Sequence, residues 1–363
     1  MPSRPRRAPP AGPVKVLVTG SAGLIGSEAA TFFDTLGFAV DGLDNNSRAD
    51  FFGPRGDTTW NRQRLESTLG RYTHVDVDIR DREGIDRVIA QGRYDIVIHA
   101  AAQPSHDLAA SRPFDDFDTN AVGTLNLLEA CRRHVPEVVF ITVSTNKVYG
   151  DNPNRLPLIE TETRFDYAEP ADADGIDETM SIEGCLHSLF GASKVAADVL
   201  TQEYGRYFDM RTAAFRGGCL TGPAHSGVEL HGFLSYLVAQ ALDEGPYTIF
   251  GYKGKQVRDQ IHSADVVSAF WAFAQDPRPG EVYNLGGGEA NAASLLECVD
   301  MIEARSGTRP ALTYDETNRV GDHICYYTDM AKFRAHFPGW RQEWSLDAIV
   351  EEMVTAMAAK RGR

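Results

Sequence analysis

The sequence has little cysteine, no long apolar run and a shortage of positive charge. Five cysteines occur among 363 residues, far apart and without a Cys-x-x-Cys pair. This pattern disfavours a disulfide framework or a zinc site, so we expect no metal and predict reduced thiols in a cytoplasmic protein. Because no stretch of 18 apolar residues is present, the sequence also predicts no membrane span.

The charge is acidic and unevenly distributed. Lysine and arginine number 36 against 51 acidic residues, a net charge of −15, which disfavours nucleic acid as a partner. Nine acids and a single arginine fall within residues 158–183. Residues 1–13 instead carry three arginines among prolines without the apolar core of a signal peptide, so we expect a disordered tail there.

Short apolar runs alternate with helical stretches through the first half of the chain. This alternation predicts βαβ units and an α/β fold, a Rossmann-type doubly wound parallel sheet. A length of 363 residues also leaves room for a second, smaller lobe. The predicted strands lie at residues 14–19, 38–43, 73–79, 94–98 and 138–143.

Three glycines follow the first predicted strand and open a helix. Gly20, Gly23 and Gly26 suit a tight turn, a close approach of backbone to a pyrophosphate and close packing of helix on strand. The second strand ends at Asp44, where a carboxylate would accept from ribose hydroxyls and repel a 2′-phosphate. The motif therefore favours NAD, although Arg48 keeps NADP open as an alternative.

With these residues the sequence resembles the extended short-chain dehydrogenase/reductase family, which contains nucleotide-sugar epimerases and dehydratases. The resemblance implies an NAD-binding Rossmann domain, mainly residues 14–215, and a nucleotide-sugar-binding lobe, mainly residues 216–363, with the chain free to cross between them. It rests on TGSAGLIG (19–26), HAAAQPS (99–105), NAVGTLNLLEA (120–130), STNKVYG (144–150), FGASK (190–194), RGGCLTGP (216–223), GKQVRDQIHSADV (254–266), YNLGGG (283–288) and RVGDH (319–323).

The resemblance and the strand ends together predict two sets of binding residues. The expected cofactor contacts are Gly20, Gly23, Leu24, Ile25, Gly26, Asp44, Asn45, Asp78, Ile79, Ala100, Ala101, Gln103 and Lys194. The expected contacts of a nucleoside-diphosphate sugar are Ser105, Asn146, Lys147, Phe190, Arg216, Gly217, Lys255, Arg258 and Arg319. Arg258 and Arg319 match family positions that bind the diphosphate, a task for which a bidentate guanidinium is well suited.

Within the family, the STNKVYG segment most resembles the CDP-paratose (CDP-tyvelose) 2-epimerases. The family's 4,6-dehydratases carry an Asp-Glu pair where this chain has Asn146 and Lys147, so elimination by that route is disfavoured. The resemblance implies epimerisation of a CDP-sugar at C2 through a transient keto-sugar, with hydride returned from bound NADH. Ser144 and Thr145 are expected to polarise the reacting oxygen.

One residue departs from the family's catalytic YxxxK motif. Lys194 is present, but Phe190 stands where the tyrosine that exchanges the hydroxyl proton is expected. Three interpretations remain open: a substitute base, a different chemistry such as dehydration, or a protein that binds NAD and a nucleotide sugar with little turnover. We consider His187 the first candidate base, since histidine is the side chain ordinarily suited to proton transfer at neutral pH and it lies three residues before Phe190. Cys185, Lys147 and Tyr149 are weaker candidates.

Two further expectations concern surfaces. Family members pair through helices that flank the active site, here 121–134 and 187–207, so the resemblance implies a homodimer. The acidic residues 158–183 fall between STNKVYG and FGASK in the chain. They predict either a solvated surface or a lid that orders when the sugar binds.

Overall fold

The computed structural model describes residues 14–224, 232–318 and 321–362. The predicted tail, residues 1–13, lies outside these ranges. The strands are β1 (Lys15–Thr19), β2 (Ala39–Leu43), β3 (Tyr72–Val75), β4 (Ile96–His99), β5 (Val139–Thr145), β6 (Leu158–Glu160), β7 (Phe165–Tyr167), β8 (Arg211–Gly217), β9 (Cys219–Thr221), β10 (Pro246–Phe250), β11 (Val257–His262), β12 (Glu281–Leu285), β13 (Ala292–Ser294), β14 (Ala311–Asp315) and β15 (Cys325–Tyr326).

The helices fall between these strands and after them. They are α1 (Leu24–Thr35), α2 (Ser47–Phe52), α3 (Thr59–Thr68), α4 (Arg82–Gly92), α5 (His106–Ser111), α6 (Pro113–Phe117), α7 (Gly123–His134), α8 (Ser188–Phe208), α9 (Phe233–Asp243), α10 (Ser263–Gln275), α11 (Leu295–Ser306), α12 (Ala331–His336) and α13 (Leu346–Lys360). The strand–helix alternation of the first half is the one that the sequence predicts.

A seven-stranded sheet forms the centre of the first part of the molecule. Its strand order is β3-β2-β1-β4-β5-β8-β12, and every neighbouring pair is parallel. The chain leaves β1 toward β2 on one side and reaches β4 on the other, so the carboxyl ends of β1 and β4 flank the point where the strand order reverses. Such a point is where open α/β sheets bind ligands.

Hydrophobic cores cover both faces of this sheet. Val16 and Val18 of β1 belong to the core that includes α1 and α10, whereas Leu17 belongs to the core that includes α4 and α7. Strands buried on both faces read as continuous apolar runs, which is why β1, β4 and β5 are recognisable in the sequence. The predicted doubly wound Rossmann-type fold is confirmed.

The second part of the molecule is smaller and is built around three helices. Helices α9, α11 and α13 pack on one another, and their apolar residues join those of β10 in one core. A separate small sheet places β11 between β13 and β15, with β9 also paired to β11. Strand β9 follows β8 of the large sheet after one residue, so it leads directly from one part to the other.

The chain crosses between the two parts repeatedly. Residues 263–285 return to the first part, where α10 packs on α1 and β12 forms the sheet edge beside β8. In the other direction, Tyr149 and Ile176 pack with Val257 of the second part. The chain thus crosses both before and after residues 215–216, and the boundary predicted there stays a prediction.

The acidic residues 158–183 are joined to the second part by backbone hydrogen bonds. Strands β6 and β7 form an antiparallel hairpin within the segment. Farther along, the Ile176 N–H donates to Tyr327 O at 2.9 Å, and Asp329 N–H donates to Ile176 O at 3.0 Å. The segment thus belongs to the fold of the second part, which gives no support to the lid hypothesis.

Several negative expectations can be compared with the described residues. All five cysteines are free thiols. Across residues 14–224, 232–318 and 321–362, no group of three or more His, Cys, Asp or Glu side chains is arranged to hold a metal ion. No helix in those same ranges is long and apolar enough to cross a membrane.

Candidate active site

One cavity follows the carboxyl ends of the central strands and continues onto the second part of the molecule. Its wall includes β9 residues and the beginning of α9. Most of the residues predicted for the cofactor line it, together with several predicted for the substrate. The predicted residues found in the wall are Gly20, Gly23, Leu24, Ile25, Gly26, Asp44, Asn45, Asp78, Ile79, Ala100, Ala101, Ser144, Thr145, Phe190, Lys194 and Gly217.

The glycine turn after β1 has the geometry of a phosphate-binding loop. Gly20 has φ +67°, and a Cβ there would lie 2.7 Å from Ala101 N. A Cβ on Gly26 would lie only 2.0 Å from Gly20 O, so helix and turn approach as closely as glycine permits. Helix α1 begins after Gly23 without a side-chain cap or an acidic residue in its first turn, which leaves its N-terminal N–H groups suited to an anion.

The carboxylate after β2 is held in place by backbone donors. Asp44 accepts from Ala22 N–H at 3.0 Å and from Asn46 N–H at 2.7 Å, and it lines the cavity. Arg48 lines the same wall, with its guanidinium 4.7 Å from the centre of the Phe52 ring. Burial lowers the pKa of Arg48 to about 10. A fixed carboxylate at this position fits the two ribose hydroxyls of the expected NAD.

The next strand end adds a second polar group to the wall. Asn45 Nδ2 donates to Asp78 Oδ2 at 3.0 Å, and Arg80 forms an ion pair with the same carboxylate at 2.7 Å. All three side chains belong to lining residues. We call this part of the cavity the glycine end; it comprises the glycine turn, Asp44 and Asp78. The glycine end fits a dinucleotide.

At the other end, α8 presents three residues in one row along β5. Phe190, Lys194 and Asp198 are spaced four apart, so they share a helix face. Lys194 Nζ donates to Val143 O at 2.9 Å, and Asp198 Oδ2 accepts from Ser144 Oγ at 2.6 Å. Phe190 is buried and lines the cavity in the family's tyrosine position.

Lys194 is the buried cation of this region. Its side chain is almost completely shielded from solvent, at 5% exposure. Burial lowers the pKa of Lys194 to about 8, against the opposing attraction of the Asp198 and Asp116 carboxylates. An amine with such a pKa exists in both protonation states near neutral pH.

The two hydroxyls at the end of β5 differ in what they can do. Ser144 donates its proton to Asp198, so toward the cavity its oxygen can act only as an acceptor. Thr145 Oγ1 accepts from Lys147 N–H at 3.2 Å, while its contact with Asn146 Oδ1 is long at 3.4 Å. Thr145 is therefore the better placed of the pair to donate to a ligand oxygen.

His187 lies outside the cavity wall. Helix α8 begins at Ser188, so His187 precedes the helical row that contains Phe190. Its Nε2 bonds Ile182 O at 2.8 Å, and Cys185 Sγ lies 3.5 Å from the same nitrogen. The geometry gives no support to His187 as the substitute base, because its ring is occupied by the preceding loop. Cys185 contacts the same loop.

Two residues of the loop after β4, Ser105 and Gln103, form hydrogen bonds within the protein. Ser105 caps α5 by accepting from Leu108 N–H. Gln103 is buried and donates to Ser105 O and to Asp116 Oδ1. Asn120 then bonds both Gln103 and Ser193, tying this loop to α8. Neither Gln103 nor Ser105 belongs to the cavity wall, and their predicted binding roles stay predictions.

Arg216 belongs to a buried network and not to the cavity. Two of its nitrogens bond Asp198 at 3.1 and 2.9 Å, and Nη1 donates to the Tyr149 hydroxyl at 3.0 Å. Tyr149 in turn donates to Asn284 Oδ1 at 2.6 Å. With its donors directed at these partners, Arg216 is unsuited to the predicted substrate contact, and Tyr149 is unsuited to act as a base.

The remaining predicted substrate cations have carboxylate partners within the protein. Asp322 Oδ1 accepts from Arg258 Nη2 at 2.6 Å and from Lys147 Nζ at 3.2 Å; we call these three residues the cation cluster. Arg258 and Lys147 hold the pKa of Asp322 below its ordinary value, although burial alone would raise it. Lys255 pairs with Glu160 at 2.9 Å, on the surface hairpin.

Two predicted substrate residues remain, Asn146 and Arg319. Asn146 is buried at the end of β5 and does not belong to the wall. Arg319 lies outside the described residues.

Sequence reasoning missed part of the wall. Cys219, Thr221 and Gln260 line the cavity from β9 and β11, and Phe233 lines it from the start of α9. Cys219 is next to the glycines of RGGCLTGP, so its place in that motif was the available signal. Burial raises the pKa of its thiol to about 11.

Comparison with known proteins gives consistent matches over most of the chain. Residues 16–286 match the family model described as NAD dependent epimerase/dehydratase family. CDP-paratose 2-epimerase of Salmonella typhi is 33% identical over 297 residues, which are 80% of this chain and 84% of that protein. dTDP-glucose 4,6-dehydratase of Neisseria meningitidis serogroup B is 29% identical over 345 residues, 90% of this chain and 88% of that one.

A solved structure agrees in fold. UDP-glucose 4-epimerase of Thermus thermophilus, in complex with NAD, is 26% identical and superposes with a TM-score of 0.75. The match covers 95% of this chain and 99% of that one.

Proposed function

The chain belongs to the NAD dependent epimerase/dehydratase family, and we propose from this premise that it is a 2-epimerase of a CDP-sugar. One observation carries the catalytic part of the proposal: a single cavity joins the glycine end to Thr145 and Lys194 and continues to β9. The choice of C2 and of cytidine is supported by the similarity to CDP-paratose 2-epimerase, which spans 84% of that protein.

In this proposal the protein binds, orients and shields the reacting sugar. Bound NAD supplies the group that takes a hydride from the sugar carbon and gives it back. The glycine turn, the α1 N-terminus and Asp44 hold the cofactor, as their fit to a dinucleotide supports. Thr145 donates to the sugar oxygen that becomes a carbonyl, while Phe190 forms an apolar wall beside it.

The substrate diphosphate is assigned to the cation cluster. Arg258 is 8% exposed and has its guanidinium fixed by Asp322 and by the backbone carbonyls of Val257 and His323. Lys147 lies against the same carboxylate. None of the three residues belongs to the wall of the cavity described above, and a diphosphate bound here would have to share the two cations with Asp322.

A dehydratase is the second candidate function, because dTDP-glucose 4,6-dehydratases align with up to 94% of the chain. The two residues after Thr145, Asn146 and Lys147, disfavour dehydratase activity. Asn146 has no acidic proton, and the Lys147 ammonium donates to Gly321 O and to Asp322. The acid/base pair that elimination needs at this place is therefore missing.

The test is incubation of the purified protein with CDP-, UDP-, GDP- and dTDP-sugars in D₂O, followed by NMR and mass spectrometry. The proposal predicts a 2-epimer from a CDP-sugar with unchanged mass except for exchange next to a transient carbonyl. Loss of the mass of one water would establish the dehydratase instead. An unchanged substrate in every incubation would overturn the proposed turnover.

We also propose a cytoplasmic homodimer. The five free thiols suit a reducing compartment. Helices α6 and α8 expose Phe114 (84%), Leu189 (51%) and Tyr207 (80%), apolar surface of the kind that a second copy would cover. Light scattering after size exclusion should give twice the mass of the 363-residue chain, and a monomeric mass would contradict the pairing.

A further inference from the structure

The proposed reaction requires a proton acceptor in the cavity. Oxidation of a sugar hydroxyl to a carbonyl breaks the O–H and C–H bonds of one carbon. The hydride is taken by NAD, as the family's chemistry provides, and the proton needs an acceptor in the protein. Phe190 occupies the wall beside Thr145 and Lys194, and a phenyl ring accepts no proton.

Few titratable side chains lie in this cavity. Among the residues that the structure describes, those in the wall are Asp44, Arg48, Asp78, Arg80, Lys194 and Cys219. The first four lie at the glycine end, after β2 and β3. Within 14–224, 232–318 and 321–362, neither a histidine nor a tyrosine belongs to the wall, which leaves Lys194 and Cys219.

We propose that Lys194 itself takes the proton from the sugar hydroxyl and later returns it, in place of a tyrosine at position 190. This role rests on the proposed function. Its Nζ is anchored by one hydrogen bond to Val143 O, in the strand that also carries Ser144 and Thr145. A neutral amine so anchored still has a lone pair for an incoming hydroxyl.

The proton transfer balances within the site. The O–H bond breaks, an N–H bond forms on Lys194, and the proton stays there as an ammonium until the carbonyl oxygen takes it back. Asp198 and Asp116 stabilise that ammonium, while burial favours the neutral amine. The two influences leave the pKa of Lys194 at about 8, which allows either state at working pH.

Cys219 is the weaker acceptor of the two. Burial raises the pKa of its thiol to about 11, in spite of the lowering effect of Arg258 and Lys147. A thiolate is therefore scarce at neutral pH.

The first experiment separates proton transfer from mere positive charge. Lys194→Ala should lose about 10²–10⁴-fold in turnover of the CDP-sugar, the usual contribution of a positioned acid/base. Lys194→Arg keeps the charge but holds its proton, so it should be equally slow. Small primary amines should restore part of the Lys194→Ala rate in proportion to their free-base concentration, whereas NAD affinity, measured by titration, should not respond to amine.

Lys332 provides the matched control. Its Nζ also donates to a backbone carbonyl, Val282 O at 2.8 Å, but it does not line the cavity. Lys332→Ala should retain turnover and show no amine effect. A Lys194→Arg variant with near wild-type rate, or a Lys194→Ala variant that amines leave unchanged, would overturn the proposal.

A second measurement needs no turnover. Lys194 is the only lysine between Lys147 and Lys253, so acetylation of its peptide can be followed by mass spectrometry at each pH. The labelling rate should titrate with a pKa near 8, and an ordinary lysine pKa would overturn the assignment. If the protein turns over no sugar, the proposed function fails, and this titration still decides the protonation of Lys194.

Discussion

The glycine end and the cation cluster are built on opposite principles. At the glycine end, backbone geometry forms the binding surface: Gly20 and Gly26 bring turn and helix together, and Asp44 is fixed by two backbone N–H groups. In the cation cluster, side chains form the surface, and Asp322 already neutralises Arg258 and Lys147. The glycine end is ready for its ligand, whereas the cation cluster, whose residues do not belong to the cavity wall, must exchange an internal partner for a ligand.

The two regions therefore differ in how they accommodate the negative charge of a ligand. The N–H groups at the α1 N-terminus attract a phosphate, and the first turn of α1 carries no acidic residue, although the Asp44 carboxylate lies close by on the Ala22 N–H. A diphosphate at the cation cluster instead approaches a carboxylate that holds the same cations. We therefore expect substrate affinity, more than cofactor affinity, to depend on the internal ion pairs. Four substitutions test this account, and they follow in order of decreasing expected effect.

The largest effect is expected when Arg216 loses its ion-pair partner Asp198. Asp198→Ala leaves this 4%-exposed guanidinium without its bidentate partner. Loss of one partner of a buried ion pair costs about 3–5 kcal/mol of unfolding free energy. Chemical denaturation should show this loss, while Glu203→Ala on the same helix, which removes an exposed pair with Arg206, should cost at most about 1 kcal/mol. Equal losses would mean that Arg216 is not held as the structure indicates.

The next effect concerns the glycine end. In Gly26→Ala the new Cβ would lie 2.0 Å from Gly20 O, so turn and helix must separate. Overpacking costs about 1–3 kcal/mol of unfolding free energy, and the displaced turn should also raise the Kd for NAD, because its backbone no longer fits the pyrophosphate. Fluorescence titration measures this change, and Gly70→Ala, where the Cβ meets nothing within 4 Å, is the control. Wild-type NAD affinity in Gly26→Ala would refute a backbone-built cofactor site.

A smaller and opposite effect is expected at the cation cluster. Asp322→Asn removes the charge that competes with the diphosphate, and two unit charges about 4 Å apart in water interact by about 1 kcal/mol. The KM for the CDP-sugar should therefore fall about fivefold, while the NAD Kd stays constant. Asp315→Asn, at the end of β14 and exposed, should change neither value. A raised KM in Asp322→Asn would mean that Asp322 serves the substrate by orienting Arg258.

The smallest effect is expected from Lys255→Ala. Its ion pair with Glu160 lies on the surface hairpin, away from the cavity wall. Exposed pairs contribute about 1 kcal/mol or less, so stability should change by no more than that and KM by less than about fivefold. Steady-state kinetics checks the second value. A tenfold rise in KM would instead support the prediction that Lys255 contacts the substrate.

The glycine end could be predicted from the sequence because it is local. The turn, the helix start and the strand-end carboxylate follow one another within residues 20–44, and each residue type has a backbone reason for its place. The large sheet was predictable for the same reason, since β1, β4 and β5 are continuous apolar runs. Strands β8 and β12 of the same sheet were not among the predicted strands.

The polar residues of the substrate side were harder to predict, because their partners are distant in sequence. Whether Arg216 faces a ligand or the interior depends on Asp198, and the same is true of Lys255 with Glu160. For Gln103 the deciding partner is Asp116. A motif shows that such a side chain is present but not which group it will meet. For His187 the deciding feature is the start of α8, which begins one residue after it.

The central claim is that this chain epimerises a CDP-sugar at C2 by moving one hydride out and back. A CDP-sugar deuterated at C2, incubated with the NAD-loaded protein in ordinary water, tests it most directly. The account predicts a 2-epimer that keeps its deuterium at C2, because the same hydrogen returns to the same carbon. A 2-epimer that has exchanged this deuterium for solvent hydrogen, or a product lighter by one water, would contradict it.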